Sequence, residues 1–163
     1  MSSSDPVEEF TNLDDLNGVI ELISQGGATD SVESAANFLK NYSSNAASLN
    51  PLLQILLTAD QSGVRRAAGF CVKKCLSKNY VTLPQEEVLE LRSKLINRIA
   101  EENERPVLEI IEKILAFISE SIVASGASDE SFIQELIQKL QPNVEESTRV
   151  KILSLLREII GSI

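Results

Sequence analysis

Apolar residues recur every three or four positions along almost the whole chain, and that spacing predicts helices with few interruptions. Leu13, Leu16, Ile20 and Ile23 form the first such face. Thr11 and Asp14 stand before it in a capping-box arrangement, and Gly26 and Gly27 follow it, where glycine takes the left-handed conformation of a helix C-cap. Asp30 and Glu33 cap a second helix carrying Val32, Ala35, Ala36, Leu39 and Tyr42. After the polar stretch at 43–45, a third helix starts at Pro51 and carries Leu52, Leu53, Leu56 and Leu57. Proline suits a first turn because its missing N–H has no intrahelical partner there. Residues 60–63 turn the chain into a fourth helix with Val64, Ala67, Ala68, Cys71, Cys75 and Leu76 on its apolar side.

Thr82, Pro84 and Gln85 start the fifth helix, with Val88, Leu91, Leu95 and Ile99 on one face. The cluster Glu101, Glu102, Asn103 and Glu104 breaks it, and Pro106 opens the sixth, which carries Val107, Ile111, Ile114, Ile118 and Ile122. Residues 125–128 form a loop. The seventh helix runs from Asp129 with Phe132, Ile133, Leu136, Ile137 and Leu140, and Pro142 and Asn143 stop it. The eighth carries Ile152, Leu155, Leu156, Ile159, Ile160 and Ile163. No segment reads as a strand. The short connections predict antiparallel neighbours, giving about four hairpins at roughly 13–42, 49–79, 84–124 and 129–163 behind a loose N-terminus at 1–10. Val32-Glu33-Ser34-Ala35-Ala36-Asn37-Phe38 aligns with Val64-Arg65-Arg66-Ala67-Ala68-Gly69-Phe70, so the array has a weak internal repeat, as a solenoid has. In both copies small residues let a second helix approach the first. The last helix is apolar on a wide face, whereas a terminal repeat needs a polar outer face. The expectation is that this array is the N-terminal part of a longer solenoid; a dimer contact is the alternative.

Composition narrows the function. The 163 residues are 43% hydrophobic but only 4% aromatic, with no Trp, so the core is aliphatic. The net charge of −9 repels phosphate backbones and favours basic protein partners over nucleic acid. The absence of His removes the commonest general base and metal ligand. Cys71 and Cys75 lie four apart on one helix face with no further soft ligands, so they are expected as reduced core thiols, neither a metal site nor a disulfide. Serines are plentiful without a nucleophile-elbow pattern, and carboxylate pairs occur on nearly every helix, so no catalytic centre, cofactor or metal is expected. The start of the chain is no signal peptide, and no apolar run is long enough to span a bilayer; the reading is a soluble cytoplasmic and nuclear binding protein without membrane contact.

One stretch carries a resemblance. Asp60-Gln61-Ser62-Gly63-Val64-Arg65-Arg66-Ala67-Ala68-Gly69-Phe70-Cys71-Val72-Lys73-Lys74-Cys75-Leu76-Ser77-Lys78, followed by Tyr80, Leu83, Pro84, Glu86 or Glu87 and then Leu91-Arg92-Ser93-Lys94-Leu95-Ile96, resembles the second HEAT repeat of importin-β-type karyopherins and its continuation. The resemblance covers about 30–125 and is nearest to the importins that carry ribosomal proteins and histones. Tyr80 stands where the family usually has Trp or another large aromatic, and family members have many more repeats. The resemblance implies a right-handed α-solenoid of HEAT hairpins with one continuous core. It also implies that second helices line a concave face that binds the small GTPase Ran in its GTP form. Lys73 sits where the family has a basic inner-face residue, with Lys74 and Lys78 close by; Glu109, Glu112, Lys113 and Glu120 fall on the polar side of the sixth helix as further candidates. Basic protein cargo and, through a full-length receptor, nucleoporins are the other implied partners. A HEAT or ARM scaffold without GTPase dependence is the alternative function.

The lysines also serve as a solvated face, and Glu101, Glu102 and Glu104 read as a solvated turn before they read as a cargo contact. Arg65 and Arg66, five and six residues after Asp60, are expected to tie neighbouring hairpins together.

Overall fold

A computed structural model describes residues 13–24 and 30–162, and every regular element among them is helical. Thr11, Gly26, Gly27 and Ile163, and the side chain of Asp14, lie outside what is described, so the first capping box and its glycine stop are not addressed. The chain divides into two compact units, one up to Leu83 and one from Pro84.

The first unit contains α1 (Leu13–Ser24), α2 (Asp30–Tyr42), a 3₁₀ turn (Ala46–Ser48), α3 (Leu49–Thr58), α4 (Ser62–Asn79) and a second 3₁₀ turn (Tyr80–Thr82). α3 and α4 form the tightest hairpin, and α1 packs on α2 and α4. Ala68 and Gly69 are both buried on α4, which brings the two backbones together as the small-residue pattern implied. The corresponding Ala36 on α2 is exposed instead. Leu16, Ile20, Leu52, Leu56 and Leu76 are fully buried and form the core with Tyr42.

Two helix starts differ from the sequence pattern. α3 begins at Leu49, so Pro51 lies within the first turn and not at its start. Asn45 explains this: its side chain accepts from the Ala47 N–H at 3.2 Å and its carbonyl from the Ser48 hydroxyl at 2.7 Å, which winds the chain before proline is reached. α5 begins at Gln85 without a capping box, because Thr82 belongs to the 3₁₀ turn and its hydroxyl donates back to the Asn79 carbonyl at 3.0 Å. Arg65 is buried on α4 and donates to the carbonyls of Ala59 and Asp60 at 2.8 and 3.0 Å. These two bonds close the turn of its own hairpin. Cationic donors suit these carbonyls because the C-terminal end of α3 is the negative end of its dipole.

The second unit contains α5 (Gln85–Glu101), α6 (Arg105–Ala124), α7 (Glu130–Gln138) and α8 (Glu146–Ser162). α6 is its centre, with Ile111, Ile114, Leu115 and Ile118 fully buried. α8 packs chiefly on α6 and then on α5, and only lightly on α7, its neighbour in sequence. Gly126, at φ +87°, makes the turn after α6 in a conformation that a side chain would strain. Glu101 and Glu104 are exposed as the solvated-turn reading requires, but Glu102 is buried. Its carboxylate meets Arg98 at 3.3 Å and accepts from the Glu104 N–H at 3.2 Å, while its carbonyl accepts from the Lys151 ammonium at 2.6 Å. A buried charge must be paired, and this carboxylate is paired within the α5–α6 turn, while the backbone carbonyl ties that turn to α8.

Candidate partner-binding surface

α4 carries the basic residues expected at the partner contact. Residues four apart on a helix share a face, so Arg66, Phe70, Lys74 and Lys78 form a continuous stripe along α4. The Arg66 guanidinium lies 5.1 Å from the centre of the Phe70 ring, within cation–π range. Phe70 is 49% exposed, unusual for a side chain of its size in an otherwise aliphatic protein. Lys73 lies beside this stripe, half-buried.

Lys74 reaches across to α2, where its ammonium donates to the Lys40 carbonyl at 2.7 Å. That carbonyl belongs to the last turn of α2, so the contact satisfies one of the acceptors a helix end leaves open. Burial, and then the charges of Lys78 and Lys40, hold the Lys74 ammonium below the ordinary lysine range, offset in part by Cys71. Between α2 and α4 runs a shallow groove of about 220 Å³, lined by Ile23, Ala36, Leu39 and Phe70 with Lys40 and Lys74 at its edge.

The two cysteines are free thiols. Burial pushes Cys71 up to about 12, with Lys74 opposing. Cys75 is raised by burial, while hydrogen bonds from Ser48 and Asn79 pull the other way. Its thiol also donates to the Asn45 carbonyl at 3.4 Å, so it fastens α4 to the 3₁₀ turn. Among the described residues, no three His, Cys, Asp or Glu side chains converge as a metal site, and no helix is long and apolar enough to cross a membrane.

The four candidates on α6 fare differently. Glu109, Lys113 and Glu120 are exposed, Glu109 with Arg105 at 3.5 Å. Glu112 is a correction: it is 5% exposed and does not lie on the polar side. It pairs with Arg105 at 3.2 Å and accepts from the Ser154 hydroxyl at 2.9 Å, tying α8 to α6. The sequence reading passed over Lys40 and Phe70. Phe70 falls off the apolar face drawn by Val64, Ala68, Val72 and Cys75, so its exposure was open to view in the spacing; Lys40 gave no such signal.

Residues 35–101 match the importin-beta N-terminal domain family. The matched segment runs from α2 into the end of α5 and contains the whole α4 stripe together with Lys73, while α6 lies beyond it. The importin-beta likeness therefore rests on the helices that form the groove and the basic stripe. Comparisons with curated proteins and with solved structures found no match.

Proposed function

We propose that this chain is the N-terminal region of a nuclear transport receptor that binds Ran in its GTP form and contributes to nuclear import of protein cargo. The observation that carries this reading is the importin-beta N-terminal match, which is centred on the helix bearing Lys73, Lys74 and Lys78. α4 and α6 are the second helices of their hairpins, the position from which the resembling family contacts the GTPase. Lys73 is the principal contact, with Lys74 and Lys78 beside it; Glu109, Lys113 and Glu120 are separate candidates on α6. Glu112 is omitted because its carboxylate is held inside the fold. The acidic balance of the chain favours basic cargo, of which ribosomal proteins and histones are the candidates, and such a receptor moves between cytoplasm and nucleus. Nucleoporin contacts belong to a longer receptor.

Calorimetric titration with Ran loaded with a GTP analogue, and in parallel with GDP, tests this. Selective binding of the GTP form, weakened by Lys73→Glu, supports the transport reading. A folded chain that binds neither form, alone or within a longer receptor, supports a HEAT scaffold without GTPase dependence.

A further inference from the structure

We propose that the groove between α2 and α4 docks an acidic polypeptide segment through one large apolar side chain. The groove, at about 220 Å³, is smaller than the roughly 300–1,000 Å³ typical of small-molecule sites and suits a single anchoring side chain. Its walls are apolar, from Ile23, Leu39 and Phe70, and Ala36 leaves it open because a larger residue there would fill it. Phe70 is exposed by about half, so an anchor laid against its ring would remove apolar surface from water on both partners.

Charge at the rim selects the flanking residues. Lys40 and Lys74 line the groove, and Lys78 follows Lys74 by one turn. Among the described residues no carboxylate forms an ion pair with any of the three, and their charges act on one another unfavourably. Lys74 engages the Lys40 carbonyl, but an ammonium has three donors. In a chain of net charge −9 this is a local reversal of sign, and complementary carboxylates would relieve it. Basic cargo is repelled here, so the groove is distinct in chemistry from whatever surface takes such cargo. The inference does not depend on the GTPase reading, although Lys74 and Lys78 serve in both.

The test uses the whole chain and a short labelled peptide with one central Phe flanked by Asp and Glu, read by fluorescence anisotropy. Two control peptides carry Ala in place of Phe, or Lys in place of the acids. Saturable binding of the acidic Phe peptide is expected, with both controls markedly weaker. Ala36→Leu fills the groove at an exposed helical position and is expected to weaken binding about tenfold. Lys78→Glu, also at an exposed site, is expected to weaken it about fivefold, with the effect fading as salt rises. No saturation by about 1 mM peptide would overturn the proposal, as would equal binding of the Lys peptide or indifference to Ala36→Leu. A chain that takes this peptide but ignores GTP-loaded Ran, alone and within a longer receptor, refutes the transport reading alone, and the converse result refutes the groove alone.

Discussion

The guanidinium of Arg92 holds both carboxylate oxygens of Asp129, at 2.9 and 3.1 Å, across 37 residues of sequence. The same guanidinium stacks 3.8 Å from the centre of the Phe132 ring, and the Ser119 hydroxyl donates to Asp129 at 2.7 Å. One buried carboxylate thus joins α5, α6 and the start of α7. Removing one partner of such a pair leaves the other charge buried without compensation. Arg92→Ala is expected to lower stability by about 3 kcal/mol, and Ser119→Ala by about 1 kcal/mol, in urea unfolding. A midpoint for Arg92→Ala equal to that of the parent would refute this role.

Glu112 does for α8 what Asp129 does for α7. Substituting Ala removes the acceptor of Ser154 and the partner of Arg105. Arg105 is half exposed and water would take over its side of the pair, so the loss is set mainly by the Ser154 contact. Glu112→Ala is expected to destabilise by about 1–2 kcal/mol and to speed amide hydrogen exchange in α8 before α6. Uniform acceleration throughout the second unit would contradict a local tether.

Arg65 closes the α3–α4 turn through two carbonyls from one guanidinium nitrogen. Arg65→Ala leaves those acceptors to water or to nothing, and about 2 kcal/mol of stability is expected to go with it. Lysine brings a different length and donor geometry, so Arg65→Lys is expected to recover only part of the loss. Full recovery in the same unfolding experiment would mean that charge alone suffices.

The thiol of Cys71 offers a pH test. Its proton is held up to about 12 in the folded chain, against 9.0 for an unperturbed thiol. Between those values the unfolded chain has released the proton and the folded chain has not, so unfolded molecules bind fewer protons and stability falls with rising pH. The contribution is complete below pH 9 and is lost as the pH rises through about 12. Cys71→Ala is therefore expected to flatten the alkaline side of the stability profile, and iodoacetamide at pH 8 is expected to modify the native thiol far more slowly than the unfolded one. Equal alkylation rates in the two states would show that the thiol is not so held.

Some of this was legible residue by residue. Ala67 and Ala68 announced the close approach of α4 to α3, and Ala68 is indeed fully buried. The equivalent Ala35 and Ala36 announced the same for α2, yet Ala36 opens a groove. The aligned aromatics diverge in the same way: Phe38 stacks on Tyr42 with ring centres 5.8 Å apart, while Phe70 faces outward beneath Arg66. Equal sequence does not ensure equal surroundings, because each repeat copy meets different neighbours.

Sequence alone determined that the described segments are helical, since a 3.6-residue period is a local property of the chain. Lys73, Lys74 and Lys78 came from family likeness on one short stretch. Tertiary structure decided which charges are interior. Glu112 and Asp129 are as polar in sequence as Glu109 and Glu130, and Ser154 and Arg92, brought from 42 and 37 residues away, distinguish them. A carboxylate is stable inside only where the fold delivers its partner, and no local pattern records that delivery.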